Sequence, residues 1–106
     1  MKDHLVVLVT APSEQVGKDL AAMLLRRRLA ACVNIIPSVI SIYTWEGETC
    51  IDDEVMLMIK TGRSVLDELT SAIIGDHPYD VPEVIALPIT AGAEEYLRWL
   101  DGAVVP

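Results

Sequence analysis

A chain of 106 residues that is 52% apolar is long enough for one domain, and it carries more apolar side chain than a small monomer easily buries. Its net charge of -8 argues against a nucleic-acid partner, because phosphate binding requires a basic surface. The one basic cluster, Arg26-Arg27-Arg28, is typical of a helix end, where cations complement the helix dipole. No run of about 18 uncharged apolar residues exists, so the sequence predicts no membrane span.

The segment from Met1 to His4 leads into a strand-like run and lacks the apolar region and cleavage site of a signal peptide. We therefore expect a cytosolic protein in which Cys32 and Cys50 are reduced thiols. The apolar excess predicts burial between subunits, so we also expect a homo-oligomer.

The first half of the chain predicts a strand, a helix and a long hairpin. His4 to Thr10 is a β-branched run typical of a buried strand. Ser13 is a good N-cap, and apolar residues at helical spacing predict a helix from Ser13 to Leu29. The segments from Ala31 to Trp45 and from Thr49 to Thr61 predict two paired strands, with Trp45 near the tip of the hairpin.

A proline interrupts the first strand of this hairpin. Pro37 cannot donate a ladder hydrogen bond, so it marks an edge or a bulge. Apolar residues occupy both faces of the strand, and we assign Val33, Ile35 and Val39 to one face and Ile36, Ile40 and Ile42 to the other.

The second half predicts a helix, a strand and a short helix. Ser64 and Asp67 resemble a capping box, and Gly75 stands where a helix C-cap belongs. A strand is expected from Glu83 to Ile89, and a helix from Ala93 to Leu100 that Asp101-Gly102 stops.

This order predicts an α+β fold, a ferredoxin-like split βαβ arrangement (βαββαβ plus a short C-terminal helix) in a single domain over residues 1–106. Both long helices then cover one face of a four-stranded sheet, and the other face is free for subunit contact. We assign Ile40 and Leu57 to that free face, so a charge at either position is expected to break assembly or folding.

The loop His77-Pro78-Tyr79-Asp80-Val81-Pro82-Glu83 is the strongest functional candidate in the chain. Its two prolines hold His77 and Val81 extended, so the loop is stiff. Neutral imidazole binds copper, zinc and nickel, and Asp76 could supply an oxygen ligand beside it. The alternative is a structural histidine that makes hydrogen bonds to carbonyls at the helix end.

Six motifs, which span nearly the whole chain in order, resemble the divalent-cation tolerance (CutA) family. They are Thr10-Ala11-Pro12, Leu29-Ala30-Ala31-Cys32-Val33-Asn34, Ile42-Tyr43-x-Trp45-Glu46-Gly47, Glu54 with Lys60-Thr61, His77-Pro78-Tyr79-x-x-Pro82-Glu83 and Tyr96-Leu97-x-Trp99-Leu100.

The resemblance implies a homotrimer whose architecture is similar to that of the nitrogen-regulatory PII-like trimers, and a role in tolerance of copper and other divalent cations. Some bacterial members carry a Cys and a second His where this chain has Val9 and Asp76. That departure puts a soft, Cys-containing copper site in doubt.

We therefore expect a cytosolic homotrimer without an obligatory cofactor that contributes to metal tolerance, with Cu(II) or another divalent metal bound through His77 and Asp76. An alternative is a PII-like module that binds a small ligand, such as a small anion, in inter-subunit clefts; its candidate residues are Trp45, Lys60, Tyr79 and Glu83. A third possibility is a structural trimeric scaffold. Enzyme activity is not expected, because no nucleophile motif or phosphate loop accompanies His77.

Overall fold

The computed structural model describes residues 3–105. Its elements are β1 (His4–Ala11), α1 (Glu14–Arg26), β2 (Cys32–Trp45), β3 (Glu48–Gly62), a 3-10 turn (Arg63–Val65), α2 (Leu66–Asp76), β4 (Ile85–Ile89) and α3 (Glu94–Ala103). The four strands form one antiparallel sheet in the order β2-β3-β1-β4. The predicted α+β class and strand arrangement are confirmed.

The core lies between the sheet and the two long helices. Side chains at alternate positions of β1 and β3 point toward α1 and α2, and they are fully buried there. Leu57 is one of them, with 0% exposure. The assignment of Leu57 to the free face was therefore wrong, because its place in the pleat puts it under the helices.

Helix α1 begins and ends with local hydrogen bonds. The Ser13 hydroxyl accepts from the Val16 N–H at 3.2 Å, as its predicted N-cap role requires. The helix ends at Arg26 rather than Leu29, because Arg28 adopts the left-handed conformation with φ of 56°. The Leu29 N–H then donates to the Leu24 carbonyl at 2.9 Å, which completes a Schellman motif.

Three other boundaries differ from the sequence expectation. The chain enters α2 through the 3-10 turn without a side-chain cap, so the capping box at Ser64 was wrong. Gly75 stays helical, and α2 ends one residue later at Asp76 with His77 as its C-cap. Strand β4 starts at Ile85 rather than Glu83.

Helix α3 continues to Ala103, through Asp101 and Gly102. The Arg28 guanidinium donates to the Gly102 and Ala103 carbonyls at 3.1 and 3.4 Å. These bonds satisfy carbonyls that a helix end leaves without partners, which explains why α3 is longer than its sequence suggested.

The bulge expected at Pro37 is present, and it reverses the faces of β2. Ile36 pairs with Met56, but the next pair joins Val39 to Glu54, so β2 carries one extra residue. Ile36 and Val39 therefore face the same side of the sheet. Beyond the bulge Ile40 and Ile42 point to the helix side, opposite to our assignment.

The outer half of the β2–β3 hairpin projects beyond the helices as an arm, and the described chain measures 44 × 25 × 22 Å. Ile40, Ile42 and Ile51 are 66–68% exposed on this arm, on the helix side of the pleat. The opposite, helix-free face of the sheet carries Ile36, Ile85 and Leu87 at 41–51% exposure. None of the helices in residues 3–105 is both long and apolar enough to cross a membrane.

Candidate functional site

His77 joins the end of α2 to strand β1. Its side chain is buried, and Nε2 donates to the Thr10 carbonyl at 2.8 Å. The Tyr79 N–H donates to Nδ1 at 3.1 Å. Because a carbonyl can only accept and an N–H can only donate, these partners specify a neutral ring with its proton on Nε2.

The geometry around His77 matches the structural alternative, with a carbonyl of β1 in place of one at the helix end. A metal ligand needs a free nitrogen lone pair, and that of Nδ1 already accepts from Tyr79. Asp76 is exposed at the last position of α2. Within residues 3–105 no three His, Cys, Asp or Glu side chains form a group able to hold a metal ion.

Tyr79 extends from the same loop to strand β3. Its hydroxyl donates to Glu54 Oε2 at 2.8 Å, and Glu54 is itself buried at 7% exposure. Burial, together with the hydrogen bond to Glu54, raises the pKa of the Tyr79 phenol above its ordinary value. The loop is therefore bound to β1 through His77 and to β3 through Tyr79.

A second tyrosine–carboxylate pair lies on the arm. Tyr43 of β2 donates from its hydroxyl to Asp52 of β3. This hydrogen bond, with the negative charge of Asp52 beside it, raises the pKa of Tyr43 to about 12. Asp52 and Glu54 are two residues apart on β3, so both carboxylates point to the helix-free side.

The loop and the arm enclose an open cleft of about 620 Å³. Its aromatic lining consists of Tyr43, Trp45 and Tyr79. Its acidic lining consists of Asp52, Glu54, Asp80 and Glu83. No lysine, arginine or histidine among the described residues lines it, so the cleft is electronegative.

The structure brings three of the four ligand candidates together and leaves one out. Trp45, Tyr79 and Glu83 line the cleft. Lys60 lies elsewhere on the helix-free face, where its ammonium donates to the Asn34 side chain. Lys60 is six residues from Glu54 along β3, toward the opposite end of the sheet, so its place in an inter-subunit cleft stays a prediction.

Tyr43 and Asp52 also line the cleft, although neither is among the four ligand candidates. Their positions depend on the bulge in β2, which puts Tyr43 on the same face as Asp52 and Glu54. Counting the pleat outward from Trp45 and Glu48 at the hairpin tip would have found them, because that part of the register is regular.

The two cysteines are free and lie far apart on the hairpin. Cys32 pairs with Lys60 at the base, and Cys50 pairs with Tyr43 on the arm. Their positions on the paired strands separate their Cα atoms by much more than the roughly 7 Å that a disulfide spans. Both are half-buried, and neither lines the cleft.

Residues 5–103 match the family model described as "CutA1 divalent ion tolerance protein". This chain belongs to the CutA1 family. The divalent-cation tolerance protein CutA of Thermus thermophilus is 50% identical over 95 residues, which are 90% of this chain and 92% of that protein.

Solved CutA1 structures have the same fold. The T. thermophilus protein superposes with a TM-score of 0.94 at 46% identity, covering 96% of this chain and 99% of that one. CutA1 from Oryza sativa superposes with a TM-score of 0.96 at 48% identity, covering 98% of this chain and 95% of that one.

The plant relatives are longer proteins. Protein CutA, chloroplastic, of Arabidopsis thaliana is 52% identical over 99 residues, which are 93% of this chain and 54% of that protein. The chain thus spans about half the length of this relative. Another CutA, from Archaeoglobus fulgidus, is named periplasmic, so the cytosolic location of the present chain stays a prediction.

Proposed function

We propose that this CutA1-family chain acts as a homotrimer, with the helix-free face of the sheet as its subunit contact. The support is the row of apolar side chains on that face, since Ile85 and Leu87 are 51% and 49% exposed in the single chain. Contiguous apolar surface of this kind marks interaction sites. The mass of the protein in solution, by light scattering, tests the trimer.

We further propose that the trimer contributes to divalent-cation tolerance by binding divalent cations at the cleft rather than at His77 and Asp76. The observation that carries this proposal is the acidic lining, because carboxylate oxygens are preferred ligands of hard divalent ions. Since no three ligand side chains among residues 3–105 come together in one chain, a neighbouring subunit would complete the coordination.

Titration of the metal-stripped protein with Mn(II) and Cu(II) by calorimetry tests the metal site. Replacing Glu54 by Gln removes one charge and keeps the shape of the side chain. A contact to a charged group contributes about 1.5–3 kcal/mol, so affinity is expected to fall roughly tenfold or more. Cu(II) is expected to bind more tightly than Mn(II) at the same ligands.

Two further variants separate the cleft from other carboxylates. Glu95→Gln removes the same charge from an exposed position on α3, and it is expected to leave binding unchanged. Loss of binding in Asp76→Ala, with Glu54→Gln unaffected, would contradict the proposal and assign the metal to the end of α2.

The surroundings of His77 support a binding role rather than a catalytic one. The Thr10 carbonyl and the Tyr79 N–H occupy both ring nitrogens, so Nδ1 has no free lone pair with which to accept a substrate proton, and neither partner is a nucleophile. The small-ligand alternative is favoured by the cleft volume, which lies within the range of small-molecule pockets, about 300–1,000 Å³. A small anion fits poorly, because four carboxylates line the cleft and no lysine, arginine or histidine among residues 3–105 does.

A further inference from the structure

The cleft has an aromatic wall and an acidic wall, and both kinds of side chain recognise cations. Tyr43 and Trp45 on the arm are 41% and 51% exposed in the single chain, on the face that we propose as the subunit contact. Asp52 and Glu54 lie beside them on β3. Aromatic faces attract organic cations through their quadrupole, and carboxylates accept hydrogen bonds from N–H donors.

Glu54 supplies an independent indication that a cation belongs in the cleft. The side chain is buried at 7% exposure, yet none of the salt bridges formed by residues 3–105 includes it. The hydrogen bond that Glu54 accepts from Tyr79 engages only Oε2. Buried carboxylates are normally paired with a positive charge, and here the buried carboxylate lines the cleft.

A metal ion would use only part of this lining. Hydrated divalent cations prefer oxygen ligands, and the three aromatic side chains offer one such atom each at most, the phenolic hydroxyls, which already donate to carboxylates. A protonated amine on a short alkyl chain would use all of it. The ammonium has three donors for carboxylate oxygens, and the chain has apolar surface for the rings.

We propose that the cleft binds a small primary alkylammonium ion, with the ammonium group at Glu54 and Asp52 and the alkyl chain along Tyr43 and Trp45. This ligand class goes beyond the divalent-cation proposal and does not depend on it. The cleft volume of about 620 Å³ holds a small amine with room for water, or for side chains of a neighbouring subunit.

The test is a charge series on one carbon skeleton, applied to the purified protein in its own assembly state. n-Butylammonium, n-butanol and n-butyrate are each titrated at neutral pH by calorimetry, with tryptophan fluorescence as a second signal because Trp45 lines the cleft. Saturable binding is expected for n-butylammonium only. Equal binding of the alcohol or the acid, or no binding of the amine, would overturn the proposal.

Three variants locate the binding. Glu54→Gln is expected to weaken n-butylammonium binding about tenfold or more, and Trp45→Leu to weaken it several-fold through loss of the ring. Trp45 is half exposed at the hairpin tip, so its variant keeps the proposal testable even if Glu54→Gln fails to fold. Glu95→Gln on α3 is the matched control, with unchanged affinity expected.

Amine binding that neither Glu54→Gln nor Trp45→Leu weakens would place the ligand elsewhere and overturn the proposal. A parallel Mn(II) titration of the same samples separates the two proposals. Amine binding without Mn(II) binding contradicts only the metal proposal, and Mn(II) binding without amine binding contradicts only this one.

Discussion

At the scale of single residues, two side chains hold the loop after α2 in place. His77 contacts β1 through its ring, and Tyr79 contacts β3 through its hydroxyl. The bond between them, from the Tyr79 N–H to the His77 ring, makes the two anchors one unit. The wall of the cleft formed by this loop is therefore fixed before any ligand arrives, which lowers the entropic cost of binding.

The two tyrosines predict how stability depends on alkaline pH. Their pKa values are raised in the folded state, that of Tyr43 to about 12, whereas unfolded tyrosine titrates near about 10. A raised pKa contributes stability that is complete below the unfolded value and is lost as pH rises through the folded value. We expect thermal stability to fall above about pH 10, and to fall less in the double variant Tyr43→Phe/Tyr79→Phe.

Phenolate absorbance provides the control for this prediction. At about pH 11, the folded protein is expected to show less phenolate than the protein unfolded in urea, because only the unfolded chain has ordinary pKa values. Identical titration curves for the two states would contradict the pKa shifts.

At the scale of elements, the two ends of α1 show how local chemistry sets boundaries. Ser13 satisfies a free N–H at the start. At the other end Arg28 takes a left-handed conformation usually given to glycine, and its guanidinium extends to the last carbonyls of α3. Arg28 therefore connects two helix C-termini, and the arginine cluster has a structural use.

The N-cap of α1 gives a prediction on stability alone. Ser13→Ala is expected to lower the free energy of unfolding by about 1 kcal/mol, because the Val16 N–H loses its acceptor. Ser13→Asp keeps an acceptor at the cap and is expected to stay near the parent. Melting temperatures compared at one protein concentration give the measurement, and equal values for all three proteins would contradict the cap assignment.

The order and type of every strand and α-helix could be predicted from periodicity and turn residues, whereas the 3-10 turn and the faces of the outer half of β2 were not predicted. Propensity locates a strand over Ala31 to Trp45, whereas the pairing that sets its faces depends on the partner strand. The bulge beside Pro37 was expected, but its effect on Ile40 and Tyr43 needs the register with β3. The second partner of His77 is Thr10, which lies 67 residues away in the sequence, so no local sequence pattern could predict this contact.

At the scale of the whole molecule, the sheet has one face that the chain covers and one that it does not. Leu57 and its neighbours on the covered face are completely buried, whereas Leu87 on the other face is 49% exposed. Because the two faces differ in burial, a substitution on the uncovered face can test assembly, whereas one on the covered face disturbs folding itself. Leu57→Lys would bury a charge in the core and is no test of assembly.

Leu87→Lys is the substitution that tests the subunit contact. It adds a charge to a side chain that is already exposed in the single chain, so the variant is expected to fold and to run as a monomer. Ile74→Lys, at a 53% exposed position on α2, is the matched control and is expected to keep the parent mass. Light scattering with circular dichroism gives mass and folding together, and a folded trimer of Leu87→Lys would contradict the proposed contact.

The extra residue in β2 has a consequence for how this fold can change. Between Cys32 and Ile36 the odd-numbered residues of β2 face the helices, and from Val39 onward the even-numbered residues do. A regular strand of the same length would instead pair Ser38 with Glu54, which would send Tyr43 and Trp45 to the helix side and isoleucines into the cleft. The irregular pairing at the bulge thus decides which face of the arm displays the aromatic residues and which displays the isoleucines.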